Sequence, residues 1–212
     1  LALAVPTFVL GVAVMLVFSL LLVWVRRTGW ETAGVVTSIG IMSVSSLFYM
    51  ILGQWLFAKT LRWVPVSGFA DGIGMVHFLL LPVAIALFSR LGGDALLYRA
   101  LFLEEIGKDY VRTARAKGAG ELQVLFGHVL RNAMLPILTS TVAAIPMLFM
   151  GSLIMENFFG IPGLGAYTID AINAQDFSVV RSMVFLGTAA YVAGLILTDF
   201  AYAAADPRIR LQ

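Results

Sequence analysis

LALAVPTFVLGVAVMLVFSLLLVWVRR, Leu1 to Arg27, opens the chain without a charged side chain before Arg26. A helix needs about 20 predominantly apolar residues to cross the hydrocarbon core of a bilayer, so Leu1–Val25 reads as a membrane span that ends in a pair of arginines at headgroup level. Four further stretches repeat the pattern. Ala33–Ala58 is uncharged and ends at Lys59, and Gly72–Ser89 is shorter and holds His77 and Pro82. Asn132–Met155 is uncharged and interrupted by Pro136 and Pro146, and the last stretch, between Arg181 and Asp199, extends through Val179–Val180 and Phe200–Ala205. Prolines are tolerated in such helices because neighbouring helices satisfy the freed backbone groups. The expectation is an all-α, polytopic membrane protein, a single domain over residues 1–212 with five spanning helices.

Composition agrees: 60% of residues are hydrophobic and 12% charged, against about 25% charged in a soluble domain. A net charge of only +2 carries no general nucleic-acid signature, and no nucleic-acid partner is expected. The lack of cysteine excludes a disulfide framework, a thiolate metal site and a cysteine nucleophile. Two isolated histidines, His77 and His128, make no ligand cluster, so no metal site is expected. The chain starts at Leu1 without a basic leader region, so a signal peptide is not expected and an N-terminal truncation is.

Cations set the orientation. Placing Arg26 and Arg27 on the cytoplasmic side also places there Arg90, Arg99, Lys108, Arg112, Arg115, Lys117, Arg131 and the tail's Arg208 and Arg210; of the 14 Lys and Arg, only Lys59, Arg62 and Arg181 fall outside. Within the long cytoplasmic segment, about 94–131, Asp94–Lys117 has helical composition with Gly107 as its weak point. KGAG (Lys117–Gly120) then supplies a glycine stop after a cationic last turn, and Glu121–Leu130 restarts a helical pattern. The expected shape is a short helix along the membrane surface, a turn, and a helix that re-enters. In YVRTARAKGAG (Tyr110–Gly120) small residues alternate with the cations. A lipid-binding basic loop needs only charge, whereas small residues permit close approach of another backbone and suggest a docking surface for a protein.

The outer segment, Glu156–Ser178, mixes glycine, proline and aromatic residues, and Gly160, Pro162, Gly163 and Gly165 favour tight turns over a regular element. IPGLG lacks the Lys-Ser/Thr of a phosphate-binding loop. Asp170 and Asp176 lie outside the spans and form no intramembrane carboxylate pair, Ser67 has no histidine partner at matching depth, and Asp199 reads as an interfacial aspartate orienting a helix end beside Tyr202. Gln54, Ser43, Ser45 and Ser46 either line a path or bond between helices.

The run EEIGKDYVRTARAKGAGELQVLFGHVLRNAMLPIL, followed by IPGLG and the tail DPRIR, resembles the inner-membrane permeases of binding-protein-dependent ABC importers, and among them the dipeptide, oligopeptide and nickel subfamily. The general family pattern is Glu-Ala-Ala, three residues, Gly, nine residues, then Ile-x-Leu-Pro. Aligned on Gly118, its first three positions become Arg112, Thr113 and Ala114, and its last four His128, Val129, Leu130 and Arg131. The glutamate and proline are replaced by the TARAKG and LRNA of the peptide subfamily.

The resemblance implies a bacterial or archaeal cell-membrane protein with a sixth span preceding Leu1. It further implies a coupling helix formed by Arg112, Thr113, Ala114, Arg115, Ala116, Lys117, Gly118 and Gly120, seated in a cleft of an ATP-binding cassette subunit and supported by His128, Arg131 and Asn132. Pro162, Gly163 and Gly165 would meet an extracytoplasmic solute-binding protein, a paralogous second permease would complete the path, and lipid would surround it. No catalytic residue is expected in the chain and no cofactor: ATP and Mg2+ would sit on the partners. An ion-coupled secondary transporter or channel, the alternative, would more naturally show paired midplane carboxylates or facing broken helices.

Overall fold

The computed structural model describes residues 2–70, 72, 74–145, 148 and 152–205. Among them every regular element is helical. The helices are α1 (Ala4–Trp24), α2 (Gly29–Met42), α3 (Ser46–Gly53) continuing as a π-helical turn Gln54–Thr60, α4 (Gly74–Ile106) and α5 (Asp109–Ala116). Next comes α6 (Glu121–Gln123), joined through π-helical Val124–Val129 to α7 (Leu130–Ala144), and last α8 (Leu153–Phe159), α9 (Leu164–Asn173) and α10 (Phe177–Ala205).

Among the described residues three stretches are long and apolar enough to cross a membrane: Ala4–Trp24, Gly74–Ile106 and Phe177–Leu197. They correspond to the first, third and last expected spans. The second, Ala33–Ala58, is not one helix, and α2 and α3 count as a span only if joined across the break between Met42 and Ser46. There Ser43 Oγ donates to the Ile39 carbonyl at 2.7 Å, the local competition through which serine weakens a continuing helix. The fourth, Asn132–Met155, is divided as well. Its first part lies in a helical run from Glu121 to Ala144, and Met155 belongs to the separate α8. Pro146 and the tail's Arg208 and Arg210 lie outside the described residues.

The chain forms two compact units, one of Leu1–Phe8, Ser46–Ala86 and Val142–Gln212, the other of Val9–Ser45 and Leu87–Thr141. In the first unit α8 packs on α9 and α9 on α10. Gly53 lets α3 approach α4, since a Cβ there would lie 2.7 Å from Ile85 Cδ1. Gly68 N–H donates to the Phe159 carbonyl at 2.9 Å, tying the PVSGF turn to the end of α8. The second unit has a core drawn from α1, α4, α5 and the Glu121–Ala144 run, in which Val23, Phe102, Val111, Val129 and Ala133 are fully buried. Gly92 plays the part of Gly53 there, with Met42 Cβ only 2.9 Å from where its own Cβ would be.

Candidate coupling site

The helical composition of Asp94–Lys117 does not yield one helix. α4 ends at Ile106, and the chain tightens as Gly107 N–H bonds Glu104 O at 3.1 Å and Lys108 N–H bonds Glu105 O at 3.2 Å. Lys108 is extended (φ −74°, ψ 153°), and α5 begins at Asp109, whose carboxylate suits a helix N-terminus. Glycine is the residue at which a helix most easily ends, and the buried Glu105 (7% exposed) clamps the break. It accepts hydrogen bonds from Lys108 Nζ and, at 2.7 Å, from Tyr110 Oη. The Glu105 hydrogen bond raises the Lys108 pKa; burial, then the bond to the same carboxylate, raises that of Tyr110.

α5 is two-faced. Val111 is completely buried in the core, and Tyr110 and Ala114 pack against it. Arg112, Thr113 and Ala116 are exposed, and Arg115 is partly so. The helix closes in a Schellman motif: Gly118 N–H donates to Arg115 O at 2.9 Å and Ala119 N–H to Ala114 O at 3.2 Å. The motif requires a left-handed residue at Gly118, which has φ +87°. Gly120, by contrast, has φ −65° as the residue before α6 and needs no glycine for its conformation.

Glu121 locks the turn from the other side. Its carboxylate accepts from Arg115 Nε at 3.2 Å and Arg115 Nη2 at 3.1 Å, and from Arg26 of the first loop. Burial raises its pKa, but the bonds from Arg115 and Arg26 outweigh this and hold it below the usual carboxylate range. A second pair, Arg99 with Glu31, also joins the first-loop region to α4. These ion pairs tie the arginine loop and the start of α2 to α4 and to the turn after α5.

Two cavities flank α5. One, of about 450 Å³, lies at the Gly118 turn and brings Thr113, Lys117, Gln123 and His128 together. The other, of about 650 Å³, is lined by Arg112 and Arg115 from α5 and by Arg26, Arg27 and Glu31. Arg112 and Arg115 therefore share a face, and Lys117 belongs to the turn. Arg131 and Asn132 are exposed on α7, and Asn132 Nδ2 donates to His128 O at 2.9 Å.

The outer segment is more regular than its turn residues suggest, because α8 and α9 flank a turn whose Gly160 is left-handed (φ +64°). The organising group is Glu156, 4% exposed. It accepts from Gly165 N–H at 2.8 Å, Ala166 N–H at 3.3 Å and Ser152 N–H at 3.2 Å, satisfying the N-terminal donors of both helices. Of the three expected contact residues only Pro162 is exposed; Gly163 is half-buried and Gly165 buried. A Cβ at Gly165 would lie 2.8 Å from Leu153 Cα, so this glycine serves helix packing. Gln54 donates to Val66 O at 2.7 Å in the following turn, while His77 and Asp199 are exposed. Glu105, Val111, Glu121 and Glu156 were not singled out by their residue type.

Helices throughout the described residues, several of them apolar and of membrane-spanning length, define a multi-pass membrane protein. The chain belongs to the family described as binding-protein-dependent transport system inner membrane component, whose model matches residues 1–211. A Brucella abortus protein named as a peptide transport system permease is 35% identical over 214 residues, covering 99% of this chain and 68% of the relative. A Sinorhizobium fredii protein named as a peptide ABC transporter permease is 33% identical over 217 residues, with the same coverage of 99% and 68%. The oligopeptide transport system permease protein AppB of Bacillus subtilis is 32% identical over 174 residues, 79% of this chain and 55% of its own length. The chain is a permease subunit of an ABC importer, a class that is non-catalytic and works with ATPase and binding-protein subunits.

Proposed function

We propose that the chain carries peptides, the solute class in the names of its relatives, and that α5 with the Gly118 turn is the helix through which an ATP-binding cassette subunit drives it. The observation that carries the proposal is the two-faced construction of α5. Val111 is fixed in a core shared with α1, α4 and the Glu121–Ala144 run, while Arg112, Thr113 and Ala116 stand exposed. A push on the exposed face moves the buried one, and packed interiors transmit such displacement because they compress little. His128 lines the cavity at the turn, Asn132 holds its carbonyl from one helical turn on, and Arg131 adds an exposed cation on α7. The sequence contains no GxxxxGK[ST], so ATP and Mg2+ belong to the partner subunits. A paralogous permease supplies the other half of the path, and the outer turn with Pro162 exposed and Gly163 and Gly165 behind it meets the solute-binding protein.

Cysteine substitution tests the docking on a background free of native cysteine. In the assembled transporter, cysteines at Thr113 or Ala116 are expected to cross-link to the ATPase subunit. A cysteine at Val17, 58% exposed on α1, is expected to give none. Equal cross-linking at Ala116 and Val17 would remove α5 from the interface.

A further inference from the structure

The larger cavity beside α5 gathers cations from two distant parts of the chain. Arg26 and Arg27 come from the loop after α1 and Arg112 and Arg115 from α5, with Glu31, Leu103 and Ile106 completing most of the lining. The carboxylates around it do not balance these charges. Glu121 is shared between Arg26 and Arg115, Glu31 is taken by Arg99, and Asp109 meets Arg112 at 3.4 Å. Arg27 forms no ion pair among the described residues. Its backbone is left-handed, with φ +64°, and its N–H is held by Glu31 Oε2 at 2.6 Å. A residue other than glycine kept in that conformation points to a local requirement for its placement.

From these features we propose that the cavity is a binding site for the phosphate-bearing headgroup of an anionic phospholipid. Its volume of about 650 Å³ lies within the ~300–1,000 Å³ range of small-molecule sites. Arginine forks match phosphate oxygens in pairs. The position selects lipid as the source of the phosphate. Arg26 and Arg27 follow immediately on the apolar α1, where exposed Leu21 and Trp24 (49% and 54%) provide the surface for acyl chains and an interfacial anchor. Leu103 and Ile106 give the same cavity an apolar component. Basic pockets at the cytoplasmic ends of membrane helices bind headgroups by this combination. The inference rests on the membrane fold; it shares Arg112 and Arg115 with α5, and its test at Arg27 is separate from α5 docking on an ATPase.

The test is a titration of the full chain, purified in neutral detergent and observed by native mass spectrometry, with phosphatidylglycerol, phosphatidylcholine or inorganic phosphate. Phosphatidylglycerol is expected to bind in preference to phosphatidylcholine and to resist displacement by equimolar phosphate. Arg27→Asn and Arg27→Gly both suit a left-handed backbone and remove the charge; each is expected to weaken phosphatidylglycerol binding about fivefold, the value of about 1 kcal/mol per cation at a membrane surface. Arg90→Gln, altering an arginine paired with Asp94 outside the cavity, is expected to leave it unchanged. Equal binding of the two lipids, or equal binding by the Arg27 and Arg90 variants, overturns the site. Displacement by equimolar phosphate overturns its assignment to lipid.

Discussion

Glu156, 4% exposed, accepts from Gly165 and Ala166 N–H across the α8–α9 turn and from Ser152 N–H ahead of α8. In Glu156→Ala those donors lose their acceptor at a cost of about 1–3 kcal/mol for each one that stays buried. The expected result is faster proteolysis of the outer turn in spheroplasts with membrane insertion unchanged; unaltered cleavage would show that Glu156 does not hold the turn. This residue was illegible in the sequence because ENFFGIPGLG presents it as one more outer carboxylate, and its partners Gly165 and Ala166 reach it only after the chain has turned. Gly118 was legible. A glycine just after a cationic helix end marks a left-handed cap, and φ is +87° there. Gly120 looked equivalent, but its ordinary φ of −65° shows that only one of the two glycines sets the turn.

At the scale of elements, the boundaries of α5 depend on side chains that a pattern of helix formers cannot reveal. Asp94–Lys117 has continuous helical composition, yet Glu105 folds back on Lys108 and Tyr110 and stabilises an extended residue at 108. The break between α2 and α3 has a similar origin: Met42–Leu47 holds no charge, glycine or proline to mark it, and Ser43 acts through a local bond to the Ile39 carbonyl. The other end of α5 is held by a titratable group, Glu121. The Glu121 pKa is lower in the folded chain, so its bonds to Arg115 and Arg26 contribute stability above the unfolded pKa, and that contribution disappears as pH falls through the folded value. The carboxylate side chain is 45% exposed, so solvent screens the interaction and the effect is modest. Glu121→Gln is therefore expected to melt below the wild type at pH 7, with the difference shrinking as pH falls through and below the carboxylate range. A difference that stays constant with pH would assign Glu121 a role independent of its charge.

For the whole molecule, hydropathy was sufficient for the all-helical membrane class and for three spans, because lipid burial selects long apolar helices directly. It could not resolve how Ala33–Ala58 and Asn132–Met155 are divided, which depends on local bonding and packing. The cation bias predicts topology. Cysteines at Ser89 or Gly120 are expected to react with a membrane-impermeant thiol reagent only in inverted vesicles, and one at Gly163 in intact spheroplasts. The reverse pattern would place α5 outside the cell and overturn the proposal that it couples to an ATPase.

In the proposed mechanism α5 and its capped turn transmit work between an ATPase and the spans. Its most direct measurement is the stimulation of ATP hydrolysis by solute-loaded binding protein in liposomes containing the assembled transporter, comparing wild type with Gly118→Val. A Cβ at position 118 meets no atom within 4 Å, so the substitution acts through φ. Holding a residue other than glycine left-handed costs about 1–3 kcal/mol, and β-branching makes valine especially unsuited to it. A coupling role for α5 predicts a variant that inserts normally but loses most of the stimulation and most of its transport. A Gly118→Val permease that assembles, transports and stimulates its ATPase as the wild type does would contradict it.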